Sequence, residues 1–437
     1  MEIKELYSIY LENPNIIIDS RKAGEKSIFF GLPGEHANGG TFAAKALEAG
    51  CAAAIVDSPA FCTSPRCILV EDTLHTLTAL AAFHRSKLNI PVIAITGSNG
   101  KTTTKELLAA VLRTGKKVIA TAGNLNNHIG VPLTLLSVPL DTDLAVIEMG
   151  ANHAGEIAAL CKTAMPTHGL ITMIGKAHLE GFGSFEGVIA AKSELYQYLN
   201  QPGKTVFVNA DDNLLLELLK DFRGSIVTYG TSEDAYCKGQ TEGAGPFLKL
   251  NLKSPASGNP SRQEINLDTQ LIGGYNLPNA LAAACAGMHF GIGLLAIASA
   301  LSSYAPTNNR SQLLQTESNR LILDYYNANP TSMEAAIRNF TQIQHAKCML
   351  ILGDMLELGE FGPAEHEKIN QLARVSGAEK VLVVGTLFSK TSPWPGRMAF
   401  SDSENAALYL EQNKHSGYQI LIKGSRGIQL EKTVPYL

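Results

Sequence analysis

Three absences narrow the reading before any motif does. The seven cysteines (Cys51, Cys62, Cys67, Cys161, Cys237, Cys285, Cys348) are scattered over 437 residues and never form a Cys-x-x-Cys pair. That spacing excludes the common zinc frameworks and leaves reduced, mostly buried thiols as the expectation. Basic charge is not in excess: 36 Lys and Arg stand against 40 Asp and Glu, a formal net charge of −4. No cationic face is left to gather on phosphate backbones, so nucleic acid is excluded as a partner. The opening Met1-Glu2-Ile3-Lys4-Glu5-Leu6 lacks the basic-then-apolar layout of a secretory signal, which makes the cytoplasm the expected compartment.

A fourth absence points in a misleading direction. Asn279 to Leu301 carries no Asp, Glu, Lys or Arg and is about long enough to span a bilayer. It is Ala-rich, broken by Gly287, Gly291 and Gly293, contains His289 and has no basic flank. Two tightly packed helices of a soluble domain are expected there, and no membrane insertion.

What is present is the composition of a globular α/β protein, 45% hydrophobic and 17% charged with glycine spread along the chain. The length exceeds what one core organises, and three domains are expected. Residues 1–90 alternate short apolar runs with Gly-rich turns, closing on a helical stretch from Leu74 to Leu88 and the linker Asn89-Ile90-Pro91. From Val92 to residue 307 strands and helices alternate, as in a parallel sheet; residues 225 to 273 read as a small antiparallel appendage. Residues 308–437 restart the alternation, with strands expected at Leu321–Tyr326, Cys348–Leu352, Lys380–Val384 and Gln419–Ile422, which makes a third, Rossmann-like α/β domain.

Chemistry concentrates where the apolar strand Val92-Ile93-Ala94-Ile95-Thr96 runs into Gly97-Ser98-Asn99-Gly100-Lys101-Thr102 and a helix. A helix N-terminus offers unpaired N–H groups to phosphate. Gly97 and Gly100 permit close approach, Lys101 reaches terminal phosphates, and the Thr102 hydroxyl is suited to Mg²⁺. The loop is shorter than Gly-x-x-x-x-Gly-Lys-[Ser/Thr], since Ile95 stands five residues before Gly100. No Asn-Lys-x-Asp base-reading motif occurs, which argues for ATP rather than GTP. Glu148 ends the next strong strand, Leu144 to Glu148, where ligands gather in parallel sheets. His178 follows the strand Gly169 to Ile174, where ligands gather, although a lone His is more often structural than a ligand. By the same pattern, Lys192 on its amphipathic helix reads as a solvated charge.

Taken together these segments resemble the Mur ligases, ATP-dependent amide-forming enzymes of peptidoglycan synthesis, over nearly the whole chain. The short Thr96-Gly97-Ser98-Asn99-Gly100-Lys101-Thr102 loop is similar to that superfamily's phosphate loop. The segments Gly123 to Pro132, Glu148 to Asn152, Tyr326 to Pro330 and Gly353 to Gly359 resemble the branch that joins D-alanyl-D-alanine to UDP-N-acetylmuramoyl-tripeptide. Tyr326 to Pro330 and Gly353 to Gly359 argue against a tripeptide-forming member and against folate polyglutamate synthase. A regulatory or motor ATPase is the rival of another class.

The resemblance implies a central P-loop ATPase-like domain between a small UDP-substrate-binding domain and a C-terminal domain that closes on ATP and binds the dipeptide. It implies that the loop from Gly97 to Thr103 holds the ATP phosphates, with Asn276 near adenine, Arg310 near the phosphates and Asp324 at the nucleotide. Thr102 and Glu148 would hold one Mg²⁺ and His178 with Glu148 a second. Lys192 matches a lysine often carbamylated into an anionic metal bridge. The peptide carboxylate would attack the γ-phosphate, and the dipeptide amine would displace phosphate from the acyl phosphate. Ser20, Arg21, Asn126, Asn127, Asn327 and Asn329 would line the substrate side, with Lys423 to Arg426 shaping the dipeptide side or the closed state, and a monomer is expected. Three departures stand out: Tyr275 in place of the family's usual His, Tyr325 in place of a small residue, and Asn38-Gly39-Gly40 in place of Asp-Gly-His. An aromatic face for adenine stacking survives at Tyr275.

Overall fold

The computed structural model describes residues 1–34, 37–243, 245–255, 263–307, 310–342 and 347–437. Three sheets succeed one another along the chain. The first is four-stranded and wholly parallel, in the order Asn15–Ile17, Ser27–Phe30, Ala53–Val56, Cys67–Leu69. Its two middle strands are buried at every position, as unbroken apolar runs require when both faces are covered. Helix Thr73–Lys87 follows, its N-terminus capped by the Asp72 carboxylate, which accepts from the His75 N–H at 2.7 Å. This helix packs on Ile3–Glu12 and also on helices Gly130–Leu136 and Glu156–Ala164 of the next unit. Arg85, buried, fixes the junction by donating to the carbonyls of Leu88, Ile90, Ala164 and Met165. Asn89-Ile90-Pro91 is therefore a clamped crossing rather than a loose linker.

The second sheet has nine strands in the order Glu264–Ile272, Phe247–Lys253, Cys237–Thr241, Ser225–Gly230, Thr205–Asn209, His168–Ile171, Val92–Thr96, Leu144–Glu148, Val118–Ala120. Strand Val92–Thr96 lies third from one edge, parallel to both neighbours. Alternation sends Val92 and Ala94 to one face, and Ile93 and Ile95 to the other against Leu107, Leu108 and Val111 of helix Lys101–Leu112. The expectation of an appendage over residues 225 to 273 is corrected here. Ser225–Gly230 pairs in parallel with Thr205–Asn209, and the antiparallel ribbon beyond it continues the same sheet. Pairing and register with the central sheet are not written in local pattern, so the sequence does not show that these strands extend it. The turn-rich run from Lys253 to Pro260 lies outside the described residues from position 256 onward. The uncharged stretch forms helices Leu277–His289 and Leu294–Ser303, and no described helix is long and apolar enough to cross a membrane.

The third sheet has the order Gln312–Gln315, Arg320–Asp324, Gln419–Lys423, Cys348–Gly353, Lys380–Val384, Arg397–Phe400. Only the first pairing is antiparallel. The strands Gln312–Gln315 and Arg397–Phe400 form its two edges and were not expected from the sequence; edge strands are partly exposed and carry weaker hydrophobic pattern. Asn308 and Asn309, at the second domain boundary, lie outside the described residues.

Candidate active site

Strand Val92–Thr96 ends on the glycine loop, and two positions there need glycine for stated reasons. Gly97 has φ +138°, and a Cβ on it would stand 2.1 Å from Thr172 Oγ1. Gly100 has φ +83°, with Asn279 Oδ1 2.6 Å from where its Cβ would be. The turn they allow delivers helix Lys101–Leu112 with its N-terminal amides facing a cleft of about 730 Å³. The cleft runs along the carboxyl ends of the central strands, where ligands bind in open parallel sheets.

Lys101 Nζ donates to the carbonyls of Gly97 (2.6 Å) and Ser98 (3.2 Å). Burial pulls its pKa down to about 8, with the Glu148 carboxylate opposing and Arg310 adding to the fall. Glu148 is only 1% exposed. Its Oε1 accepts from Thr102 Oγ1 (3.1 Å) and Asn126 Nδ2 (2.8 Å), while Oε2 has no hydrogen-bond partner. A buried carboxylate oxygen left without a donor is costly unless something cationic meets it. Lys105 Nζ stands 4.0 Å away, but it is held by the Thr121 carbonyl at 2.8 Å. No group of three or more His, Cys, Asp or Glu converges among the described residues. A hydroxyl and one carboxylate, beside a loop shaped for phosphate oxygens, fit Mg²⁺, which keeps much of its coordination for phosphate and water.

Lys192 is 1% exposed, which corrects its reading as a solvated charge. Its Nζ donates to the Ala151 carbonyl at 3.2 Å and lies 5.2 Å from the Phe182 ring centroid. Burial, and next the charge of Lys101, bring its pKa down to about 7, so a free amine is accessible near neutral pH. Such an amine is what carbamylation requires. His178, with φ +52°, lines the cleft and brings its Nδ1 to 2.6 Å from Glu357 Oε2 of the C-terminal unit.

The opposite wall comes from the third sheet. Asp324 pairs with Lys423 at 2.7 Å across neighbouring strand ends. The Arg310 guanidinium lies 3.8 Å from the Tyr326 ring centroid, and that of Arg426 5.5 Å from it. Arg310 is thus packed in the cleft and is not a surface charge of a linker. Tyr275 lines the same region, its hydroxyl 2.7 Å from Ser311 Oγ. Asn276 borders the cleft too, but its amide is spent within the protein: it donates to the Ile272 carbonyl and accepts from Asn279 Nδ2, both at 2.8 Å. Asn99 of the loop and Asn329 exchange two hydrogen bonds, at 2.8 and 3.2 Å. Asn327 faces the cleft, and its Oδ1 accepts from the Ala328 N–H. Ser98, Thr103, Asn126 and Asn127 also face it, with Asn127 capping helix Gly130–Leu136.

Ser20 and Arg21 are not brought to this cleft. Arg21 is exposed and bonds the Asp19 carboxylate beside it. Lys105, Tyr326 and Glu357 are not assigned individual roles by the sequence. Lys105 had a usable signal: it stands at spacings of three, four and seven with Leu108, Ala109 and Leu112, on the buried face of its helix. The others depend on a partner far along the chain.

Comparison with known proteins agrees with this architecture. The model of the Mur ligase middle domain matches residues 95–287, and that of the Mur ligase, glutamate ligase domain, residues 309–426. The chain is 35% identical over 439 residues to UDP-N-acetylmuramoyl-tripeptide--D-alanyl-D-alanine ligase of Bacillus subtilis (strain 168), covering 96% of this chain and 92% of that protein. Crystal structure I of MurF from Acinetobacter baumannii superposes with a TM-score of 0.85 at 31% identity, over 96% of this chain and 92% of that one. The crystal structure of MurF ligase from Thermotoga maritima in complex with ADP gives 0.83 at 26% identity, over 98% and 97%. With two family models spanning its central and C-terminal units and relatives matched almost end to end, the chain belongs to the Mur ligase family.

Proposed function

We propose that this protein is an ATP-dependent ligase that joins D-alanyl-D-alanine to UDP-N-acetylmuramoyl-tripeptide, a step of peptidoglycan precursor synthesis that runs in the cytoplasm. The observation that carries the reading is the convergence on one cleft of the glycine loop, Glu148 with its unpaired oxygen, and Asn327 of the C-terminal unit, whose Asn329 bonds Asn99 of the loop. Domains of residues 1–90, 91–307 and 308–437 would bind the UDP moiety, the ATP and the dipeptide respectively.

In this reading the loop amides from Gly97 to Thr103 and Lys101 hold the phosphates, while Arg310, braced on Tyr326, adds positive charge from the far wall. Thr102 and Glu148 hold Mg²⁺, with His178 and a carbamate on Lys192 toward a second ion. Mg²⁺ supplies charge neutralisation on the phosphate oxygens. Tyr275 offers its ring to adenine, with Asn276 holding the strand-to-helix corner beneath it. Asp324, fixed by Lys423, takes the nucleotide between the two units. The tripeptide carboxylate attacks the γ-phosphorus and displaces ADP to give an acyl phosphate, and the dipeptide amine then attacks the acyl carbon, losing a proton and expelling inorganic phosphate. The protein's contribution is orientation and electrostatics.

Phosphate release tests this directly. Turnover is expected only with ATP, UDP-N-acetylmuramoyl-tripeptide and D-alanyl-D-alanine together. Release with a single amino acid as sole acceptor would move the protein to another branch, and full ATPase activity with no nucleotide-sugar peptide would remove it from the ligases.

A further inference from the structure

His178 and Glu357 meet across the cleft from two different units, and both are held in a backbone conformation that side-chain-bearing residues seldom adopt, with φ +52° and φ +64°. His enters this region more readily than most residues with a side chain, but Glu does not, so the strain falls on Glu357. Such strain persists where the surroundings over-determine it. Here they do: the Glu180 N–H donates to the Glu357 carbonyl at 3.3 Å, and Gly359, also at positive φ, lies against Glu180, whose Cβ would be 3.3 Å from a Cβ at that position. Lys176 and Glu365 add an ion pair at 2.9 Å beside the same contact. The result of this bracing is one short approach, 2.6 Å between His178 Nδ1 and Glu357 Oε2. Nδ1 is buried and meets no other polar atom, so this close approach, which falls short of an aligned hydrogen bond, is its one polar contact, and Nε2 has no hydrogen bond among the described residues.

A neutral imidazole carries its proton on one nitrogen, and a carboxylate beside Nδ1 favours the tautomer with the proton there. The lone pair then sits on Nε2. Histidines that bind metals are generally oriented in this way, by a carboxylate or carbonyl on the other ring nitrogen. We propose that Glu357 is a positioning residue for His178: docked from the C-terminal unit, it fixes the ring and its Nδ1–H tautomer, so that Nε2 is a competent ligand only when the two walls are together. The proposal rests on reading His178 as a ligand of the second metal ion, and it makes closure and completion of that ligand the same event. The segment Gly353 to Gly359 then has a task in the chemistry beyond shaping the third sheet's edge.

The tautomer is observable without turnover. In protein labelled with ¹⁵N-histidine at pH 8, with the His178→Gln variant identifying the signal, His178 is expected as the Nδ1–H form. In Glu357→Ala the signal is expected to move toward the Nε2–H form that dominates free imidazoles. A Mn²⁺ titration with a non-hydrolysable ATP analogue present, followed by the paramagnetic resonance of the free ion, is expected to show the weaker class of site weakened about tenfold. Glu357→Gln keeps an acceptor oxygen and should stay near the parent protein on both readouts. Should Glu357→Ala not fold, Glu357→Asn replaces it, since Asn accepts positive φ and is too short to reach the ring. A His178 signal unchanged by these truncations, or a changed signal with Mn²⁺ affinity unmoved, overturns the proposal. Neither readout depends on which acceptor the enzyme uses, so failure of the ligase reading would be seen separately, in the phosphate assay.

Discussion

The two walls of the cleft are built on different plans. On the central wall the charged groups are buried and tied to their own unit: Lys101 to its loop carbonyls, Lys105 to Thr121, Lys192 to Ala151, and Glu148 to Thr102 and Asn126. On the C-terminal wall the groups find partners in one another or across the gap, as Lys423 with Asp324, Tyr326 with Arg310, Asn329 with Asn99 and Glu357 with His178. The first wall is organised before anything binds. The second is tied to the first through Asn329–Asn99 and Glu357–His178, so part of its geometry depends on how the two units meet.

Mutations should separate the plans. The largest effect is expected on the central wall, where Lys101→Ala removes the only lysine at the loop itself and should lower kcat about 10³-fold or more, measured as phosphate release. Near-normal turnover would end its phosphate role. On the other wall Asp324→Ala leaves Lys423, 3% exposed, as an uncompensated buried cation. A loss of about 3 kcal/mol is expected in denaturant unfolding, and a loss below 0.5 kcal/mol would mean that the pair is solvated.

Lys192→Met should cut turnover about 100-fold, without rescue, whereas Lys192→Ala should be partly rescued by short-chain carboxylates. In carbon-dioxide-free buffer Lys192→Met should also raise the thermal midpoint. The sign follows from a folded-state pKa of about 7, below the unfolded value. Under pH 7 the buried lysine is charged in both states and its desolvation cost is fully present. As pH rises from about 7 toward the unfolded pKa that cost fades, so the advantage of Met should shrink. An advantage that grew with pH would contradict the assignment. The smallest effect belongs to the cross-cleft amide pair: Asn99→Ala should raise KM for ATP about fivefold with kcat nearly unchanged, the cost of one hydrogen-bonded pair.

The difference between the walls also explains what could be read from the sequence. The central wall was legible because its parts are consecutive: a strand, glycines, Lys101 and Thr102, then Glu148 at the next strand's end. The parallel sheets were legible too, since buried strands announce themselves as apolar runs. Lys192 was misread from pattern because burial of a lysine depends on what packs over its helix, and only the family resemblance reversed that. Register was not legible either, which is why residues 225 to 273 looked separate from the sheet they extend. Glu357 and Tyr326 lay inside segments whose likeness to the family was plain, yet their partners are residues 178 and 310, and no local spacing encodes such a meeting. Ser20, half-buried, and Arg21, exposed, remain expectations for the UDP side and lie away from the cleft.

The central claim is that one cleft activates a carboxylate by phosphorylation and then passes it to an amine. Labelling the terminal tripeptide carboxylate of the UDP-substrate with ¹⁸O and analysing the released phosphate by mass spectrometry tests that claim most directly. One ¹⁸O atom should appear in each phosphate formed with D-alanyl-D-alanine, because the carboxylate oxygen that attacks phosphorus leaves with it. Phosphate free of ¹⁸O would show that water, not the substrate carboxylate, takes the phosphoryl group, and would contradict the account.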